Sequence, residues 1–397
     1  MKIGYFTHTN VAVSETFIYD LLLTLHNKAD RFTFFSGASA GKPIGEIDAI
    51  YTGYYAHAEK GGYLLYKAGQ LLGGKGDHLK FSHFQRNARQ MLKPFRQTLA
   101  QLDAAFIDYG TSSALLYPIL QAHKIPYVIR VLGYDVTSAF ASKAYKKAFL
   151  SSCEAAYAVI AISHHLKRLL VLAGVDPKKI HVVRLGADGD RITPGDWASR
   201  VEQAPSVVHL GRLTPKKHPV ALVQAFAVAK SMVPDARLTI IGDGPLMPAV
   251  KARVQDLGLS DCVFFTGALG REYAIPILKR HWIFAQHSVT SITGDQEGFA
   301  LSPAEAALCE LPVVATAHSG ITEQVIDFET GFLVQEHDYE TMGKRIAWLL
   351  QHPDEAERMG KAGRRQIMSI CDPGVQVDKI YSLLAAACSK AMHPEAG

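Results

Sequence analysis

The sequence predicts an α/β protein made of two doubly wound parallel-sheet domains in tandem. Three observations carry that prediction. Short β-type runs alternate with helical stretches along almost the whole chain. The runs are nearly continuously apolar, as strands covered by helices on both faces are. At 397 residues the chain exceeds what one core usually serves, and a Gly-, Pro- and Asp-rich stretch interrupts the alternation near its middle.

In the first half, strands are predicted at 2–6 (KIGYF), 31–35 (RFTFF), 104–107 (AAFI), 127–132 (YVIRVL), 156–162 (AYAVIAI) and 181–185 (HVVRL). Helical stretches at 15–27, 112–123 and 163–174 lie between them, the last ending in Gly174 as helices often do. The interruption is GADGDRITPGDWASRVEQAP, 186–205. A second alternating set follows at 206–210 (SVVHL), 237–241 (RLTII), 262–265 (CVFF), 282–285 (WIFA), 312–316 (PVVAT) and 331–334 (GFLV), with closing helices at 338–351, 354–366 and 375–388. The expected organisation is a domain over 1–190, a linker over 191–205, a domain over 206–372, and a terminal helix in 373–397 that crosses back to the first domain. Such a pair places a cleft at the carboxyl ends of two sheets, where ligands of doubly wound folds bind.

Composition narrows the class. Five cysteines (Cys153, Cys262, Cys309, Cys371, Cys388) are an odd number with no CxxC spacing, which suggests reduced thiols in the cytoplasm and neither a disulfide framework nor a zinc site. No apolar run approaches the roughly 18–20 residues that span a bilayer. The opening MKIGYFTHTN reads as a first strand rather than a signal peptide. Residues 1–190 hold 22 Lys and Arg against 14 Asp and Glu, and 191–397 hold 20 against 23, so the whole positive excess lies in the first half. It concentrates in Lys60, Lys67, Lys75, Lys80, Arg86, Arg89, Lys93 and Arg96, which face only Asp77. The stretch 54–76 mixes Tyr, Leu and Lys around glycines. It suits a mobile loop with a short amphipathic helix, or a patch resting on an anionic membrane with Tyr at the headgroup level and Lys toward phosphate.

The second half carries phosphate-binding features at strand-to-helix turns. In SVVHLGRLTPKKHP, Gly211 turns the chain, and Arg212 and Lys217 follow five apart. Arginine offers a fork of hydrogen bonds and lysine a point charge, which together suit a diphosphate. LTIIGDGPL (238–246) repeats the geometry, although GDGP alone is only a turn. In EGFALSPAEAALCELPVVA (297–315), Gly298 lets the backbone approach a ligand, the amides of Phe299, Ala300 and Leu301 point into the cleft, and a helix aims its positive end there. Ser302 as a cap, Pro303 in the first turn and Glu305 completing a capping box would account for one glutamate. Glu297 is left over. Carboxylates beside a diphosphate make sense on sugar hydroxyls, so the pattern points to a nucleotide sugar.

The run GDQEGFALSPAEAALCELPVVATAHSGITEQVIDFETGFLV (294–334) resembles the donor-binding core of the retaining glycosyltransferases of GT-B fold, family four. GRLTPKK and IIGDGP are similar to that family's other two turns, in the same order. The resemblance implies retention at the anomeric carbon, a UDP- or GDP-sugar donor as co-substrate, and no required metal or other cofactor. It implies that Arg212 and Lys217 stabilise the leaving diphosphate, and that Gly211, Gly298, Phe299, Ala300, Leu301 and His318 surround the donor. Glu297 would lie beside the donor sugar, Glu305 on the ribose, and Gly267 and Ala268 against the base.

The first half resembles the family more loosely. VSETFIYDLL (13–22), DYGTSSALLYPIL (108–120) and VLGYDVTS (131–138) are similar to members that build bacterial exopolysaccharides of the colanic-acid kind, with Asp108 and Leu132 standing where the family has histidines. The candidate acceptor residues are Glu15, Asp108, Tyr109, Tyr134 and Asp135. Glu15 and Asp135 also have plain readings at helix starts. The expected acceptor is a glycan or a lipid-linked glycan, and the expected place is the cytoplasm, peripheral to the inner membrane, with no nucleic-acid partner. A small soluble acceptor, a nucleotide-sugar epimerase and a non-catalytic sugar-nucleotide-binding protein are the alternatives. Asp188-Gly189-Asp190 spells DxD but reads as a turn, and Glu323 reads as a residue that holds its loop.

Overall fold

The computed structural model describes residues 1–8, 16–38, 44, 46–55 and 76–392. They form two compact units, Met1–Val183 with Gly374–Gly397, and Arg184–Pro373.

Among the described residues, the first unit holds a parallel sheet of β1 (Lys2–Thr7), β2 (Arg31–Ser36), β3 (Asp48–Tyr51), β4 (Ala104–Asp108), β5 (Tyr127–Val131), β6 (Ala158–Ala161) and β7 (Ile180–Val182), in the order β3-β2-β1-β4-β5-β6-β7. Ile3 pairs with Phe32 on one side and Ala104 on the other. The apolar runs become strands because both faces are covered: Ile3, Tyr5, Phe34, Phe106, Val128 and Ile160 share a core cluster on one face, and their strand neighbours Phe6, Phe35, Ile107 and Ile129 are fully buried on the other. Helix Pro373–Met392 closes that cluster with Val377, Ile380 and Leu384. β3 was not predicted. DAIY is only four residues, lies at the sheet edge and is half-buried, so its apolar signal is weak.

The second unit repeats the plan with β8 (Ser206–Leu210), β9 (Arg237–Ile241), β10 (Val263–Gly267), β11 (Ile283–Gln286), β12 (Val313–Thr316) and β13 (Gly331–Val334), all parallel, in the order β10-β9-β8-β11-β12-β13. Phe226, Leu238, Ile240, Phe332 and Ile346 lie in its core. Strand order reverses between β1 and β4 in one sheet and between β8 and β11 in the other. These are the switch points where doubly wound sheets bind ligands.

The stretch 191–205 is integral to the second unit rather than a linker. Asp196 caps a short helix, Trp197–Val201, and the buried Arg200 donates to the carbonyls of Lys279 (2.8 Å), Glu310 (3.1 Å) and Cys309 (2.6 Å). One guanidinium thus serves three carbonyls, and burial lowers its pKa to about 10. Composition alone hid this anchor.

Candidate active site

At the switch point of the second unit, β8 runs out into Gly211 and β11 into Gln286. The neighbouring turns stack through their backbones. The Gly211 amide donates to Ile241 (2.9 Å), Leu213 to Asp243 (3.0 Å) and Gly242 to Gly267 (2.8 Å). A Cβ at residue 242 would lie 2.0 Å from the Gly211 carbonyl oxygen, and one at 244 would lie 2.6 Å from that of Leu213. Both residues also have positive φ, 144° and 159°. GDGP is therefore more than a turn, because adjacent backbone occupies the side-chain space.

Lys217 stands beside this stack. Its Nζ lies 3.2 Å from Glu297 Oε1 and donates to Gln286 Oε1 at 3.3 Å. Ser302 Oγ donates to the same Gln286 oxygen at 3.1 Å. Lys216 pairs with Asp295 at 3.3 Å. Glu297 is only 7% exposed. Burial favours its neutral form, but the charges of Lys217 and Lys216 outweigh burial and lower its pKa to about 2. It is a carboxylate at any working pH. Its Oε1 is shut from solvent and, among the described residues, accepts no aligned hydrogen bond despite the nearby ammonium. That oxygen is an acceptor suited to a sugar hydroxyl.

The helix after Glu297 spans Leu301–Leu308 and opens at Ala300 with no side-chain cap. The capping-box expectation is thus corrected. Ser302 lies inside the first turn and bonds Gln286, and Glu305 takes Arg271 Nε at 2.8 Å. Arg212 is exposed and, among the described residues, joins no ion pair. Gly267 (φ 73°) ends β10 and Ala268 follows it, while Gly298, Phe299 and Ala300, next to Glu297 in the chain, are buried. Sequence reasoning missed Gln286 and Arg271. The available signal was their position: each is a polar residue at the mouth of a strand-to-helix turn.

His318 was expected to contact the donor. Instead both ring nitrogens bond within the protein: Nε2 accepts the Glu297 amide at 3.1 Å, and Nδ1 lies 2.6 Å from Glu336 Oε1. Ser319 Oγ donates to the Glu297 carbonyl. Residues 318 and 319 therefore grip both backbone polar groups of Glu297. Glu323 pairs with Arg184 at 2.7 Å, a structural role.

Residues 197–366 match the model of Glycosyl transferases group 1, and residues 14–191 that of Glycosyltransferase Family 4, so the two models together span most of the chain. The chain belongs to the family-four glycosyltransferases of GT-B fold. A GDP-mannose-dependent α-(1-6)-phosphatidylinositol monomannoside mannosyltransferase of Mycolicibacterium smegmatis is 34% identical over 187 residues, 45% of this chain and 49% of that protein. The amylovoran biosynthesis glycosyltransferase AmsK of Erwinia amylovora is 27% identical over 267 residues, 67% of this chain and 65% of AmsK. The chain thus matches about half the length of the first relative. The crystal structure of Anabaena HepE in complex with UDP superposes with a TM-score of 0.75 over 97% of this chain and all of that one, at 18% identity. That likeness shows the fold.

In the first unit, two expectations fail. Asp108 is fully buried at the end of β4. Its oxygens take Arg130 Nε at 2.5 Å and Nη2 at 2.7 Å, and the Tyr5 hydroxyl donates to it as well. Asp135 is also fully buried and accepts the amides of Gly110 (2.9 Å), Gly133 (2.8 Å) and Leu132 (3.1 Å). Burial raises its pKa even against those amides. Both carboxylates serve internal partners, which corrects their assignment to the acceptor. Tyr134 is 54% exposed and so can reach a ligand. Tyr109, at φ 69°, packs edge-on against His8 with ring centroids 4.2 Å apart. His8, at the end of β1, went unread in the sequence; burial lowers its pKa to about 4. Glu15 lies outside the described residues, as do Lys60, Lys67 and Lys75.

Asp188 Oδ1 accepts the amides of Asp190 and Arg191, so DGD is a turn. Among the described residues, no group of three or more His, Cys, Asp or Glu could hold a metal ion, and no helix is long and apolar enough to cross a membrane.

Proposed function

We propose that this chain is a retaining, metal-independent hexosyltransferase that moves a sugar from a UDP- or GDP-sugar to a hydroxyl of a glycan or lipid-linked glycan in bacterial polysaccharide synthesis. The observation that carries the reading is the buried Lys217–Glu297 pair at the switch point, beside an uncapped helix start. Lys217 and Arg212 would neutralise the leaving diphosphate, the electrostatic contribution that dominates such transfers. The uncapped helix start adds amide donors for the same anion. Glu297 would accept a hydrogen bond from the donor sugar, and Glu305 with Arg271 would face the ribose. The bond from the anomeric carbon to the phosphate oxygen breaks as the acceptor oxygen bonds to the same carbon. The acceptor proton passes to the departing phosphate, which requires no protein base. The two cations supply the positive charge, and the nucleotide sugar is the only cofactor-like molecule required.

The relatives' names support a surface glycan or glycolipid acceptor. Arg86, Arg89, Lys93 and Arg96 are all exposed, at spacings of three, four and three along one helical region, which suits a peripheral site on the anionic inner membrane facing the cytoplasm. Flotation with anionic vesicles, lost when these four are replaced by glutamate, checks that part.

The deciding experiment is thermal stabilisation by UDP, GDP, ADP and TDP and their sugars, with Lys217→Ala in parallel. A ligand at about 100 times its Kd adds about 2.7 kcal/mol. Stabilisation by one nucleotide series, abolished in Lys217→Ala, is expected. The anomeric configuration of the product, read by NMR, then tests retention. Stabilisation by none of the series overturns the donor-site reading.

A further inference from the structure

Three loops leave the carboxyl ends of adjacent strands β11, β12 and β13 and meet beside Glu297. From the first, the Thr290 amide donates to Glu336 Oε2 at 2.8 Å. From the second comes His318, 2% exposed. From the third comes Glu336, whose Oε1 lies 2.6 Å from His318 Nδ1. The last link is the Glu297 amide on His318 Nε2 at 3.1 Å.

The polarity of this chain of bonds is forced. A backbone amide can only donate, so Nε2 carries no proton. The ring is therefore neutral with its proton on Nδ1, and the contact with Glu336 is an N–H donated to a carboxylate rather than an ion pair. A neutral histidine has two tautomers, and the partner of one nitrogen selects the state of the other. Without an acceptor at Nδ1 the ring is free to carry its proton on Nε2. That would set donor against donor at the Glu297 amide.

We infer that Glu336 is a positioning residue for sugar transfer: by taking the Nδ1 proton of His318 it holds the ring in the tautomer that anchors Glu297. The inference rests on the reading of Glu297 as the carboxylate that faces the donor sugar. Glu336 touches no reacting atom, and its effect passes through the imidazole to the backbone of Glu297. Glu336 also ties this loop directly through the Thr290 amide, whereas Ser319 and His318 hold Glu297 itself, so the His318 tautomer and the His318 variants, not kcat in Glu336→Ala alone, carry the test.

The test uses the full chain labelled with ¹⁵N-histidine. A long-range ¹H–¹⁵N correlation spectrum, with the His318 signal assigned by its loss in His318→Gln, should show Nδ1 protonated and Nε2 bare. In Glu336→Ala the Nε2–H form should appear. Loss of a buried amide's partner corresponds to about a tenfold fall in kcat or more, while UDP or GDP affinity changes less than threefold because the diphosphate meets Lys217 and Arg212. Glu336→Gln has one acceptor oxygen, which can take Nδ1–H only while its NH2 faces the Thr290 amide, so it should keep more of the native tautomer and of kcat than Glu336→Ala but less than the wild type. His318→Gln, whose side-chain oxygen can accept the Glu297 amide, should recover at least tenfold over His318→Ala. Should Glu336→Ala fail to fold, Glu336→Gln and the His318 pair decide the matter. A wild-type spectrum with Nε2 protonated overturns the inference, as does an unchanged tautomer in Glu336→Ala or a changed tautomer with kcat intact. The spectrum needs no substrate. If the tautomers behave as stated but the wild type transfers no sugar, the reading of Glu297 has failed, and the positioning role falls with it.

Discussion

Replacing Lys217 with methionine keeps most of the side-chain stem and removes the charge, which leaves the Glu297 carboxylate buried beside its lost partner. Two routes give the cost. The Glu297 pKa falls from 4.5 to about 2 in the folded chain. At about 1.4 kcal/mol per unit, that is about 3 kcal/mol of stability at neutral pH. Removing one member of a buried pair typically costs about 3–5 kcal/mol. Lys216 compensates poorly, because it is engaged with Asp295 at 3.3 Å. The folded value lies below the unfolded one. The contribution is therefore complete above about pH 4.5 and is lost as pH falls toward 2. Urea unfolding at pH 7 should show Lys217→Met destabilised by about 3 kcal/mol, or roughly 6–12 °C in Tm for a unit of this size. Adding Glu297→Gln should restore at least about 1.5 kcal/mol relative to additivity, as expected of groups in contact. The stability difference between wild type and Glu297→Gln should shrink as pH drops from 5 to 3. Single variants that add within about 0.5 kcal/mol, or a difference that ignores pH, would show that the lysine does not hold the carboxylate.

Three further outcomes follow from the geometry. Gly242→Ala puts a methyl 2.0 Å from the Gly211 carbonyl oxygen, so nucleotide affinity by calorimetry should fall at least about tenfold. Arg200→Met leaves the carbonyls of Lys279, Cys309 and Glu310 without their donor, and urea unfolding should show a loss of about 3 kcal/mol. Burial pushes the thiols of Cys309 and Cys371 up to about 12, and Cys388 is the one partly exposed cysteine, so brief iodoacetamide treatment followed by peptide mapping should label Cys388 first.

The sheet of the second unit was legible because each of its strands is a compact apolar run bounded by a glycine or polar turn, and periodicity reads such runs well. β3 was not, because DAIY at a half-exposed edge carries too few buried residues to stand out. The same asymmetry holds in the site. Gly211, Lys217, Glu297 and Gly298 were legible because their types announce a close approach or a charge at a strand end. Asp108 and Asp135 were misread because they were placed by resemblance, which marks a position and not its partners: Asp135 accepts the amides of Gly110, Leu132 and Gly133, and Asp108 faces a buried guanidinium. A carboxylate at a strand end looks the same in sequence whether it faces solvent or a buried guanidinium. What separated the two cases was Arg130, 22 residues away in sequence and brought opposite by the β4–β5 pairing. The Glu336 link was equally hidden. Three loops had to be aligned in one sheet before the partner of His318 could be named.

That alignment bears on how a site can hold a lysine against a carboxylate and still release it. Under the proposed function, a diphosphate entering beside Lys217 would compete with Glu297 for the ammonium, since a multiply charged phosphate attracts it more strongly than a single carboxylate at equal distance. The lysine can follow, since its four-carbon stem is flexible. Glu297 cannot follow as easily, because its amide is held by His318 and its carbonyl by Ser319. The exchange therefore moves one side chain and leaves the carboxylate where the sugar of the same ligand would arrive. Its buried Oε1, which accepts no aligned hydrogen bond among the described residues, would then gain one from a hydroxyl. A carboxylate on an ungripped loop would drift with the lysine and leave the sugar unheld, so on the proposed function the clamp on the Glu297 backbone would separate phosphate binding from sugar binding within a single ion pair.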